Sequence, residues 1–174
     1  MDIKPLLRMS APLIVSLLLI IPVSGCALKG APQSSASGFI REELFDYRSI
    51  AILPFEGDET GEVTNAFANS FRERFPQIEI IGQRRIREIF GEEDLGPDQW
   101  DERMRREVGE KLGAQALIAG NVYYPSILRW LLQVKIMDTE TGRILGRSLA
   151  EINYMGALGF KEGCDLAVQQ LQLR

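Results

Sequence analysis

Between Ser49 and Phe75 the hydrophobic pattern changes from a continuous run to a spacing of four, and that change constrains the fold more than any other feature. Ser49–Phe55 (SIAILPF) is a short apolar run closed by Pro54, the signature of a buried strand. Val63, Phe67, Phe71 and Phe75 then recur at every fourth position, which places them on one helix face. The alternation continues. Gln77–Ile81 reads as a second strand and Arg84–Phe90 as a helix with Ile86, Ile89 and Phe90 inward. A further helix starts near Asp98, its N-cap, with Trp100, Met104, Val108 and Leu112 on its buried side and Gly113 as its stop. Ala116–Val122 is a third strand, Trp130–Met137 and Arg143–Ile152 form a hairpin, and a last helix spans Leu158–Leu173 with Phe160, Cys164, Ala167, Val168 and Leu171 buried. The expected architecture is α/β: one domain with a mixed sheet of about five strands, in the order β-α-β-α-α-β-β-β-α, covered by helices. Right-handed crossovers make the first three strands parallel. The stretch Ala51–Phe55 suits a doubly covered central strand, and the alternating hairpin an edge.

The N-terminus sets location. Lys4 and Arg8 precede an apolar run, Leu13 to Val23, that is too short for the ~20 residues of a membrane-spanning helix and suits a secretory signal. The run ends in Val23-Ser24-Gly25-Cys26, which resembles the bacterial lipobox. That resemblance implies cleavage before Cys26 and acylation of its thiol. Several acyl chains at about 0.8 kcal/mol per buried CH₂ make such an anchor nearly permanent. Ala27 stands where aspartate is the inner-membrane retention signal, so the implied address is the periplasmic face of the outer membrane. The expected division is a signal peptide over 1–25, the lipidated cysteine and a flexible spacer over 26–40, and the folded domain over 41–174. About 150 mature residues suffice for one ordinary core.

The order of the motifs then meets a known pattern. SIAILPFEGDETGE, FANSFRERFPQIEIIGQRRIREIF, VGEKLGAQALIAGNV and VKIMDTETGRIL resemble the periplasmic domain of CsgG-type lipoproteins, with similar domains in LpoB-type regulators of peptidoglycan synthases and at the N-terminus of TolB. Leu53-Pro54-Phe55, Leu112-Gly113-Ala114, Gly120 and Asp138…Thr141-Gly142 fall in the family's order over about residues 48–172. The resemblance implies an anticodon-binding-domain-like α/β fold and a non-enzymatic role in the envelope. CsgG-type proteins add membrane-spanning hairpins, each strand needing about 9–11 residues. Tyr123–Arg129 is too short to supply one, so this chain builds no pore alone.

The chemistry of the side chains narrows the function. The chain has no histidine, which excludes Ser-His-Asp and Cys-His sites and histidine metal ligands. No phosphate loop or dinucleotide fingerprint occurs, and a net charge of −4 argues against nonspecific nucleic-acid binding. No cofactor, metal or small-molecule substrate is expected. Cys164 lies on an apolar helix face as a reduced core thiol. The acids of Glu56–Glu59 and Glu92–Asp94 read as solvated loop groups, with Asp58 or Thr60 capping the next helix. Arg84, Arg85, Arg87, Arg103, Arg105 and Arg106 interleave with glutamates at i,i+4 spacing, a salt-laced face or else a docking patch.

The segment from Asn121 to Trp130 has hot-spot composition, and Tyr123, Tyr124, Arg129 and Trp130 are its candidate partner-binding residues. Alternatively, Tyr123 and Trp130 pack against helices. A second apolar, Gly-rich join runs from Tyr154 to Phe160. The expected role is a protein-interaction subunit of an envelope assembly or secretion apparatus, with envelope proteins, the membrane and further copies of itself as partners. The alternatives are a regulator docking on a peptidoglycan synthase and, from another class, a glycan-acting enzyme using paired carboxylates. A spacer of about a dozen residues reaches only some tens of Å. LpoB-type lipoproteins have far longer tethers, so the short spacer favours the assembly role.

Overall fold

A computed structural model describes residues 34–91, 102–153 and 159–174. Its elements run β1 (Ser35–Ile40), a 3₁₀ turn (Glu42–Asp46), β2 (Ser49–Ile52), α1 (Glu62–Arg74), β3 (Glu79–Ile81), α2 (Gln83–Phe90), α3 (Glu102–Leu112), β4 (Ala116–Ser126), β5 (Arg129–Asp138), β6 (Ile144–Asn153) and α4 (Phe160–Gln169). The six strands form one mixed sheet in the order β1-β6-β5-β4-β2-β3. β2 lies parallel to both β3 and β4, while β4, β5, β6 and β1 pair antiparallel.

The two sheet faces carry separate cores. Alternation in β2 sends Ile50 and Ile52 to one face and Ala51 and Leu53 to the other. On the first face α1 and α4 bury Val63, Phe67, Phe71 and Phe75 together with Cys164, Ala167 and Val168 against β4–β6. Phe67 and Phe71 of α1 stack with centroids 6.0 Å apart, Phe75 at its C-cap is tilted against Phe71 at 4.6 Å, and each fully buried side chain contributes about 1.5–3 kcal/mol. On the second face α2 and α3 bring Ile86, Val108 and Leu112 onto Leu53, Leu117 and Ala119.

The motif residues have structural work. Phe55 lies against Gly120 so closely that a Cβ there would stand 2.6 Å from its ring. The Thr64 hydroxyl accepts the Phe55 N–H and donates to Asp58, whose carboxylate also accepts the Thr64 N–H. Asp58 thus caps α1 as its position implied, and Thr60 assists by accepting from the Glu62 N–H. Asp138 accepts from the Thr141 N–H and hydroxyl, closing the β5–β6 turn, and from the Tyr47 hydroxyl. Burial opposes its ionisation, but the bonds from Thr141 and Tyr47 prevail and hold its carboxyl below the usual aspartate value. Gly113 ends α3 at φ +68°.

Several expectations are corrected. Ser35–Ile40, read from composition as spacer, form β1, bonded along their length to β6. Their small and polar residues carry no apolar alternation, and the strand is held by backbone pairing to β6. The sheet therefore has six strands, and β5–β6 lies inside it instead of at its edge. Met104 is exposed although Val108 and Leu112 are buried, and α4 ends at Gln169. The Asp98 cap, Trp100, Glu92–Asp94 and residues 154–158 of the second Gly-rich join lie outside the described residues, as do the signal, Cys26 and the first part of the spacer.

Candidate functional site

The long β4–β5 hairpin replaces the expected loop around Tyr123–Arg129. Tyr123 pairs with Leu131 and Ser126 with Arg129, so Tyr124 and Pro125 together oppose Trp130 alone. This is a β-bulge, and Pro125 fits there because a bulge leaves its missing N–H without a ladder partner. Ile127 and Leu128 form the two-residue turn, with the Leu128 N–H donating to the Ser126 hydroxyl. Tyr123 is 62% exposed, Tyr124 44%, Ile127 93% and Leu128 51%.

The four candidate residues separate. Tyr123 and Tyr124 are on the surface. Arg129 is exposed and pairs with Glu151 at 3.1 Å, an interaction worth at most about 1 kcal/mol. Trp130 is removed from the candidate surface: it is fully buried, edge-on to Phe160 with centroids 5.5 Å apart. The strand alternation decides this, since Trp130 faces α4 along with Leu132 and Val134.

A second surface lies where α2 and α3 leave the sheet uncovered. Across β1, β6 and β5, paired rows bring Phe39 beside Arg147 and Lys135, Ser37 beside Leu149 and Gln133, and Ser35 beside Glu151 and Leu131. The first two of these rows, with the chain's last residues, line a groove of about 660 Å³. Phe39, Leu149 and Leu173 give it apolar contact area, and Lys135, Arg147 and Arg174 give it positive charge. No acid lines it. Arg174 lies over the Phe39 ring at 5.8 Å, and neither Lys135 nor Arg147 has a carboxylate within ion-pair distance among the described residues. Reading β1 as spacer hid this face. The signal that exposes it is the lone Phe39-Ile40 pair ending an otherwise small and polar run.

The arginine clusters are mostly accounted for within the fold. Arg106 pairs with Glu102 at 2.7 Å, Arg85 with Glu88 at 3.3 Å and Arg84 with Glu88 at 4.0 Å, while Glu107 pairs with Lys111. Arg105 and Arg106 also donate to the Thr139 and Glu140 carbonyls, bracing the β5–β6 turn. Cys164 is buried, and burial foremost pushes its thiol up to about 12. Among the described residues no group of His, Cys, Asp and Glu is placed to hold a metal ion, and no helix is long and apolar enough to cross a membrane.

No family model matches the sequence, and no curated protein matches it. Solved structures do match. A PelC dodecamer from Paraburkholderia phytofirmans superposes with a TM-score of 0.55 at 11% identity, covering 82% of this chain and 100% of that one. Lipoprotein GNA1162 from Neisseria meningitidis does so with a TM-score of 0.51 at 16% identity, covering 60% of this chain and 79% of that one. The C-terminal domain of LpoB from Salmonella enterica reaches 0.47 at 12% identity over 61% of this chain and 82% of its own, a likeness too slight to argue from. At these identities the comparisons carry the fold, and the chain shares it with PelC and with a small lipoprotein.

Proposed function

We propose that this protein is an outer-membrane lipoprotein, anchored through Cys26 on the periplasmic side, whose domain is a non-enzymatic interaction subunit of an envelope assembly or secretion apparatus. The observation that carries the binding role is the uncovered face of β5, β6 and β1. A sheet face that carries exposed Leu149 and half-buried Phe39 between cations without acid partners among the described residues fits a protein surface with acidic and apolar groups. No aspartate or glutamate lines this groove, which leaves paired-carboxylate glycan chemistry without its residues there. The dodecamer seen for PelC supports further copies of this chain as partners.

Crosslinking in intact cells followed by mass spectrometry tests the proposal. Envelope proteins or further copies of this chain should be captured by the wild type. Capture should fall at least several-fold with Arg147→Glu and Leu149→Asp combined, both at exposed positions. A peptidoglycan synthase as dominant partner would contradict the assembly role, and undiminished capture by the double variant would contradict the surface.

A further inference from the structure

The path by which the chain enters the fold gives the β4–β5 tip a neighbour. The Ser34 hydroxyl accepts the Asn153 N–H at 2.9 Å, and Ser35 pairs with Glu151. Glu151 pairs with Leu131, and Leu131 with Tyr123. The entry point and the root of the tip therefore share one row at one end of the sheet, and the turn at Ile127-Leu128 projects beyond it. The β5–β6 turn around Glu140 lies at the opposite end, about 30 Å away at 3.4 Å per residue along β5.

The tip is chemically unusual for a two-residue turn. Such turns favour Gly, Asn and Asp, yet here Ile and Leu occupy both places and stand in solvent. Tyr123 and Tyr124 flank them, and Arg129 follows. From Ala116 to Met137 the chain contains no aspartate or glutamate. Ser34 is eight residues from Cys26, a span of at most about 30 Å.

We infer that the tip is a lipid-contacting element: Ile127 and Leu128 enter the acyl boundary of the bilayer that holds Cys26, with Tyr123 and Tyr124 at headgroup depth and Arg129 near the phosphates. Apolar side chains flanked by tyrosine and arginine match the polarity gradient of that interface. Two apolar side chains bind a membrane weakly on their own. A tether of eight residues makes the contact intramolecular, so a weak affinity suffices. The consequence is orientation. The lipid fixes distance and the tip fixes tilt, leaving the uncovered sheet face directed sideways to neighbouring molecules. This rests on the anchoring proposed above.

Depth-dependent quenching tests the inference in the full acylated protein, reconstituted into phosphatidylethanolamine–phosphatidylglycerol vesicles. Ile127→Cys and, separately, Leu128→Cys are labelled with bimane; Cys164 is buried and does not compete. Lipids brominated near the top of the acyl chain should remove most of the fluorescence at 127 and 128 and none at Glu140→Cys. The mass of the Cys26 peptide is read from the same sample. With acyl chains present, an unquenched tip overturns the inference and leaves the anchor standing, as does equal quenching at 127 and 140. A blue shift without quenching assigns the tip to a protein contact and overturns it too. An unacylated Cys26 overturns the tether on which both readings depend.

Discussion

Gly163 and Trp130 should be energetically coupled, and the size of the coupling follows from one contact. Gly163 lies within α4, where alanine is favoured by about 1 kcal/mol. A Cβ at that position would stand 2.5 Å from Cζ2 and 2.8 Å from Cη2 of Trp130, and 3.0 Å from Cγ1 of Ile152. The indole cannot withdraw, because it is fully buried and edge-on to Phe160. Overpacking of this kind costs about 1–3 kcal/mol, so Gly163→Ala should destabilise by up to about 2 kcal/mol net. Trp130→Phe removes the two closest of these atoms and leaves only the Ile152 contact at 3.0 Å. It loses part of a buried ring, and it also removes an indole N–H that has no acceptor among the described residues, which offsets about 1–3 kcal/mol of that loss. In the Trp130→Phe background Gly163→Ala should therefore become stabilising by about 1 kcal/mol, giving a coupling of about 1–3 kcal/mol. Urea denaturation followed by far-UV circular dichroism resolves that difference. An equal effect of Gly163→Ala in both backgrounds would refute the packing argument.

Four further outcomes are expected. Asp138→Asn should destabilise by about 1–2 kcal/mol, because three donors lose a charged acceptor. Since the folded carboxyl titrates below its ordinary 3.8, its contribution is present above that value and lost as pH falls through the folded one; acid unfolding of the variant should show a weaker pH dependence there. Tyr47, held up chiefly by burial and by its bond to Asp138, works in the opposite direction: its contribution is present below its ordinary 10 and lost as pH rises through its higher folded value, so Tyr47→Phe should flatten the alkaline limb in pH-dependent melts. Gly57→Ala combines φ +77° with a Cβ only 2.2 Å from the Val122 carbonyl oxygen and should cost about 2–4 kcal/mol in the same urea assay. Cys164 should remain unlabelled by a thiol reagent at pH 8 in the native protein and react fully in denaturant, as a thiol pushed up to about 12 requires.

The elements that bury a whole face were legible in the chain, because burial leaves a period. The four-residue spacing through Phe67 and Phe71 marks α1, and the apolar run around Ile50–Leu53 marks β2, covered on both faces. The bonds of Asp58 to Thr64 and of Asp138 to Thr141 follow from turn chemistry that short polar side chains impose locally, whereas the Tyr47 hydroxyl reaches Asp138 only through the tertiary fold. What escaped was β1. Its residues are held by backbone pairing to β6 and by the close approach of Gly38, where a Cβ would stand 2.7 Å from the Arg147 carbonyl oxygen, and pairing of that kind leaves no hydrophobic period. The groove was missed for the same reason, since Phe39 joins Arg147 and Leu149 only through that pairing. Trp130 was ambiguous from composition and settled by strand alternation: it is in phase with Leu132 and Val134 on the buried side of β5, while Tyr123, paired with Leu131, stays outside.

Intact mass spectrometry of the mature protein extracted from membranes, with fragmentation of its first peptide, bears most directly on the lipid-anchored role. The predicted result is an N-terminus at Cys26 whose mass includes acyl chains, together with loss of membrane association or of processing in Cys26→Ser. A mature N-terminus elsewhere, or an unmodified Cys26 in protein that still fractionates with membranes, would contradict it.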